Sequence, residues 1–61
     1  MTYRDVVKRL RAEGWKLDRQ TGSHALYVHA SKNGIVVVAG HPGAEVPRGT
    51  LGSIKKQAGW K

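Results

Sequence analysis

Apolar residues near the start of the chain recur at helical spacing: Tyr3, Val6, Val7 and Leu10 follow the i, i+3, i+4, i+7 pattern of one buried stripe. Thr2 stands where an N-cap hydroxyl is needed, and Asp5 where a capping-box carboxylate reaches back, so a helix is expected to open here. Gly14 supplies the stop, because it accepts the left-handed conformation that helix ends often need. From Trp15 to Arg19 the period changes to two, which predicts a short half-buried strand. A turn at Thr21-Gly22-Ser23 leads to a second strand, His24 to His29. Ser31-Lys32-Asn33-Gly34 carries the Asn-Gly step that tight hairpins favour, and Ile35 to Ala39 returns as a third strand. That strand is apolar on both faces, which predicts a central position or a partner over one face. A loop rich in Gly and Pro follows from Gly40 to Arg48. A second helix is expected from Gly49-Thr50, burying Leu51, Ile54 and Ala58 and ending at Gly59, with Trp60 and Lys61 as a tail.

The predicted order is therefore α-β-β-β-α. It describes an α+β fold in which a three-stranded antiparallel sheet carries two helices on one face and leaves the other to water or a partner. No repeat or linker interrupts the pattern, so residues 1–61 read as a single domain. A chain this short buries only about 60% of its unfolded surface, which makes its stability marginal.

Charge narrows the class of partner. Eleven Lys and Arg against four Asp and Glu leave a formal charge of +7 on 61 residues. A field of that sign suits nucleic acid, an anionic membrane surface or an acidic protein. Arg4, Lys8 and Arg11 form a basic stripe on the first helix, and Lys55-Lys56 a basic pair on the second; a solvated charged face is the plain alternative for the stripe. The absence of cysteine excludes disulfides and thiolate zinc sites and fits a reducing compartment. No apolar run approaches the roughly 18 residues of a membrane span, and no signal-peptide core follows Met1. The expected location is the cytoplasm, with no membrane partner.

The candidate chemistry centres on Gly22-Ser23-His24, where a flexible step delivers an imidazole to the first residue of a strand. Imidazole both takes and gives protons near neutral pH. His24 and His29 differ by an odd number along one strand and should face opposite ways, a poor metal pair, so no metal or other cofactor is expected. Ser23 lacks a suitably spaced base and carboxylate for a nucleophilic triad. Asp5, Glu13, Asp18 and Glu45 are too few and too scattered for a two-metal nuclease. Metal-independent RNA cleavage survives, because RNA carries its own nucleophile in the 2′-hydroxyl. His24 would be the general base, Gly22-Ser23 amides would hold a phosphate oxygen, and Lys and Arg would stabilise the added charge. His41, in the loop after the third strand, is a candidate second group, although a lone loop histidine is more often simply exposed. Against catalysis stands a structural reading: His24 shares strand parity with Leu26 and Val28 and would then be a half-buried histidine at the core edge. A non-catalytic basic RNA-binding module and a binder of an acidic protein also remain open.

The run Gly22-Ser23-His24, together with the closing helix Pro47-Arg48-Gly49-Thr50-Leu51-Gly52-Ser53-Ile54-Lys55-Lys56-Gln57-Ala58-Gly59, resembles the HicA family of bacterial toxins. Size, basic charge and element order agree, so the resemblance covers nearly the whole chain. It implies a fold like a double-stranded-RNA-binding domain and an endoribonuclease toxin of a type II toxin–antitoxin system, an mRNA interferase. It further implies neutralisation by a HicB-type antitoxin, with the toxin alone expected to be a monomer and the complex heteromeric. The family's catalytic histidine falls on His24. Many relatives carry a second histidine directly after it, where this chain has Ala25, and a proline near the end of the third strand, where this chain has Ala39-Gly40.

Overall fold

A computed structural model describes residues 1–60. It contains α1 (Tyr3–Ala12), β1 (Trp15–Thr21), β2 (His24–His29), β3 (Val36–Ala39) and α2 (Arg48–Ala58). The α-β-β-β-α order and the three-stranded antiparallel sheet are those expected, and they match the architecture of a double-stranded-RNA-binding domain.

The start of α1 forms as the sequence predicts. The Thr2 hydroxyl accepts from the Asp5 amide at 3.2 Å, while the Asp5 carboxylate accepts from the Thr2 amide at 3.0 Å. Tyr3, Val6 and Leu10 of α1 then meet Trp15, Tyr27, Val36 and Val38 of the sheet and Ile54 and Ala58 of α2 in one core. Both helices therefore lie on the same face of the sheet.

Four local expectations need correction. The order is β1-β2-β3, so β3 is an edge strand and β2 the centre. The Val37 amide on that edge donates to the Gln57 carboxamide at 3.2 Å, so α2 takes up a donor that a further strand would have paired. Asn33-Gly34 does not make a tight hairpin: residues 30–35 separate the strands, and among the described residues none other than glycine has a positive φ. The Lys32 ammonium instead donates to the Ala58 carbonyl at 3.4 Å, fastening this wider loop to the end of α2. Along β1 only Trp15 is buried, and Leu17 is 44% exposed. The register jumps from Leu17↔Tyr27 to Arg19↔Leu26, a bulge that inserts Asp18 and breaks the alternation. Finally, α2 begins at Arg48 with Pro47 as its N-cap, one residue before the predicted start.

The chain ends are fastened to the body. Trp60 is buried rather than part of a loose tail; its indole N–H donates to the Glu13 carboxylate, and the Arg9 guanidinium lies 4.2 Å from the ring centre. At the other end the Met1 ammonium meets Glu45 at 2.8 Å, and the Tyr3 and Arg4 amides donate to Ala44 and Pro42 carbonyls at 3.0 and 2.9 Å. The loop before α2 thus takes up the open donors at the start of α1. Gly40 is what lets the loop pass: at φ +155° it lies under the Tyr3 ring, and an added Cβ would come within 2.3 Å of Cε2.

Gly40→Ala should accordingly destabilise the protein by about 2 kcal/mol or more, since both the backbone and the ring would have to move. Urea unfolding checks this, and an unchanged midpoint would show that the Tyr3–Gly40 approach is not needed. A second expectation concerns acid. The Trp60 N–H and then the Arg9 ion pair hold the Glu13 carboxyl below its ordinary value of 4.5, and Thr2 hydrogen bonds lower Asp5 likewise. A depressed carboxylate adds stability above its unfolded pKa and loses it as pH falls through the folded one. The urea midpoint should therefore drop as pH goes from about 5 to about 3. Glu13→Gln should make that drop shallower without removing the share of Asp5; a full slope in Glu13→Gln would contradict the assignment.

Candidate functional site

The two-residue turn Gly22-Ser23 joins β1 to β2 and closes on the pair Thr21↔His24. Gly22 has φ +59° and Ser23 a negative φ, the pattern of a hairpin turn with glycine at its first central position. His24 is fixed immediately beyond, paired on its other side with Ala39 of β3. Because β2 is unbroken, its side chains alternate strictly. Ala25, Tyr27 and His29 face the helices; His24, Leu26 and Val28 face away from them. The parity of His24 with Leu26 and Val28 is thus as expected, but the shared face is the open one, and His24 is exposed. The core-edge reading of this histidine does not hold.

That role belongs to His29. The Ser31 amide can only donate, so His29 Nδ1 accepts at 3.1 Å, and Nε2 carries the proton it gives to the Glu13 carbonyl at 2.8 Å. The ring also stands edge-on to Trp15, with centroids 5.3 Å apart. His29 therefore ties β2 to the end of α1 and has no free nitrogen.

The bulge in β1 reorganises the surface around His24. With Asp18 inserted, Lys16 pairs with Val28, Arg19 with Leu26 and Thr21 with His24, so all three join the open face. Lys16 and Arg19 were not among the predicted site residues. Strict alternation would have put Arg19 on the side of Trp15 and Leu17, and nothing in the local sequence announces the bulge. The open face consequently presents Leu26, Val28 and Val37 in its middle, two cations along β1 and an imidazole at one end.

The predicted basic residues spread over the other side. Arg4, in the first turn of α1, and Ser23 both line a cavity of about 280 Å³ behind the turn. Lys8 and Arg11 are exposed farther along α1, with Arg11 about 10 Å from Arg4 along the axis. Lys55 and Lys56 lie toward the end of α2 that Lys32 fastens, at the opposite end of the sheet from the Gly22-Ser23 turn. The fold thus gathers Gly22, Ser23 and His24 at one end of the sheet, with Arg4 across a cavity that Ser23 lines and His24 faces away from; it does not bring Lys55 or Lys56 to that place. His41 is exposed two residues beyond Ala39, at the same end of the sheet as His24. Among the described residues no three His, Cys, Asp or Glu side chains gather closely enough to hold a metal ion, and no helix is long and apolar enough to cross a membrane.

Residues 3–60 match the family described as HicA toxin of bacterial toxin-antitoxin. The chain belongs to the HicA toxin family. Comparison with curated proteins gave no match, so the assignment rests on the family match, which spans every element from α1 to α2. Membership makes the chain a toxin that acts with an antitoxin partner. In this HicA the Gly22-Ser23-His24 segment sits at the solvent-facing end of the central strand, and the closing helix packs on β3 and bonds to its Val37 amide through Gln57.

The two strand histidines should separate cleanly on substitution. His24→Ala should leave thermal stability within about 0.5 kcal/mol of the parent, as an exposed position does. His29→Ala removes a group bonded at both nitrogens and should cost about 1–3 kcal/mol. Paired melting curves test this, and equal losses in the two variants would refute the division of roles.

Proposed function

We propose that this HicA toxin is a metal-independent endoribonuclease that cleaves mRNA, with His24 as the general base. The observation that carries the reading is the placement of an exposed imidazole beside a glycine turn, on a face flanked by cations, in a chain of this toxin family. In this mechanism His24 removes the proton from a ribose 2′-hydroxyl, and O2′ attacks the adjacent phosphorus. The bond from phosphorus to O5′ then breaks, leaving a 2′,3′-cyclic phosphate, and the departing oxygen takes up a proton to become a 5′-hydroxyl. General base catalysis of this kind contributes about 10²–10⁴-fold. The amides of Gly22 and Ser23 are suited to a nonbridging phosphate oxygen, and Arg4 and Arg19 to the charge that grows on it. His41, at the same end of the sheet as His24, is the candidate for the group that protonates O5′. Lys8, Arg11, Lys55 and Lys56 would meet phosphates farther along the strand, adding affinity without chemistry.

A HicB-type antitoxin fits the open face. An apolar centre of Leu26, Val28 and Val37 with Lys16, Arg19 and His24 around it suits an acidic partner that buries apolar surface. Occupation of this face would cover His24 directly. The free toxin is then a monomer and the inhibited form a heteromeric complex.

The second reading, a basic RNA-binding module without catalysis, is favoured by the cations that lie away from His24. Incubating purified RNA with the protein in the presence of chelator separates the two. The ribonuclease reading expects cleavage that falls at least about 10²-fold in His24→Ala. Salt-sensitive RNA binding should survive in that variant. Cleavage at an unchanged rate by His24→Ala removes the histidine from the mechanism, and RNA that is bound but left whole by the parent protein establishes the second reading.

A further inference from the structure

The cavity behind the Gly22-Ser23 turn lies on the helix side of the sheet, between the start of α1, the hairpin end and Gly40. Its volume of about 280 Å³ is at the small end for ligand pockets. That is room for one ring system and too little for a dinucleotide. Tyr3 and Tyr27 form its aromatic wall, with Arg4, Gln20 and Ser23 supplying polar atoms around them. Both tyrosines are buried and held by the core, so the wall is rigid. Gly40 is also on the wall, and its missing Cβ is what allows the Tyr3 ring to lie where it does. Among the described residues Arg4 forms no ion pair, which leaves its guanidinium plane available.

We propose that this cavity takes a single unstacked nucleobase of the RNA strand, next to the phosphate that is cleaved, and so gives the toxin a base preference. The proposal rests on the ribonuclease reading for the meaning of that phosphate. Single-stranded RNA is recognised by bases turned out onto aromatic rings or guanidinium planes and hydrogen-bonded at their edges. Tyr3 and Tyr27 give the cavity an aromatic lining, Arg4 supplies a guanidinium plane, and Gln20 supplies a carboxamide whose nitrogen also reaches the Gly22 carbonyl at 3.5 Å. The position is equally telling. Ser23 is on the cavity wall and directly precedes His24, and Gly40 is on the wall and directly follows Ala39, the strand partner of His24. A nucleotide can therefore place its base behind the turn and its phosphate on the turn amides, with a ribose hydroxyl reaching over to His24.

The bulge at Asp18 supports this arrangement. Without it, Gln20 would share the open face with Lys16; with it, Gln20 pairs with Ala25 and faces the cavity while Arg19 moves out beside His24. One inserted residue thus supplies a base-reading amide on one side and a cation on the other. Bulges are over-represented next to active sites, where they re-aim side chains in this way.

Two measurements on the purified toxin decide the matter. In the first, RNA oligonucleotides carry an abasic ribonucleotide at either position flanking the cleaved bond, so that the 2′-hydroxyl and phosphate remain. Loss of the base at one of the two positions should lower kcat/KM about tenfold or more, the scale of a base stacked on an aromatic ring. Gln20→Ala should flatten the ratio of rates among the four bases at that position. In the second, a 2′-O-methyl oligonucleotide that cannot be cleaved is titrated against the isotope-labelled protein. Amide and side-chain resonances of Arg4, Gln20 and Tyr27 should shift with the intact oligonucleotide and much less with its abasic counterpart. Equal cleavage of abasic and intact RNA, or cavity resonances that stay still while the oligonucleotide binds, would overturn the proposal and leave the ribonuclease reading standing. A toxin that leaves every RNA whole sinks that reading instead, and the titration still decides whether the cavity holds a base.

Discussion

A three-stranded sheet with both helices on one side obliges its central strand to serve two environments at once, and β2 does so through alternation alone. Tyr27 and His29 go inward to the helices, while His24, Leu26 and Val28 go outward. The inward set cannot slip by one residue without exposing Tyr27 and burying an imidazole with no partner, so core packing also fixes the direction of His24. His29 strengthens the constraint, since its two nitrogens are both engaged, one with the Glu13 carbonyl and one with Ser31. The exposed histidine thus owes its position to a structural histidine five residues away.

A body of this size has little apolar area to hold it, and the structure offsets that by anchoring its ends. Trp60 returns from α2 to Glu13 and Arg9 at the end of α1, and Met1 with the loop before α2 encloses the beginning of the same helix. Lys32 adds a third tie between the β2–β3 loop and α2. These contacts join segments far apart in sequence at both ends of α1. They keep the helix lying across the sheet, and so keep Arg4 and Tyr3 beside the Gly22-Ser23 turn.

Much of this was legible in the residues and some was not, for identifiable reasons. The capping box at Thr2 and Asp5, the stripe of Tyr3, Val6 and Leu10, and the parity of His24 and His29 depend on local spacing, which the chain states directly. Parity alone, however, did not say which face of the sheet the helices cover, and the core-edge reading of His24 failed on that point. The bulge at Asp18 depends on how β1 fits β2, and the edge position of β3 on which strands pair. Trp60 looked like a tail because its partners, Glu13 and Arg9, lie at the far end of the sequence. Long-range contacts decided each of these, and period and propensity carry no record of them.

The turn at Gly22-Ser23 acquires its significance from standing at the boundary between the two faces. On the open side lies His24 with Lys16, Arg19, the half-buried Leu26 and Val28 and the exposed Val37; on the helix side lies the cavity with Arg4 and Gln20. On the proposed readings, a partner that settled on the aliphatic face would bury His24 without entering the cavity, whereas a single RNA strand crossing the turn would engage both. Inhibition and substrate binding would then overlap at one residue and differ elsewhere. On the proposed mechanism the same geometry would make a small basic protein both active and controllable, because His24 sits on the sheet face that the helices leave uncovered among the described residues.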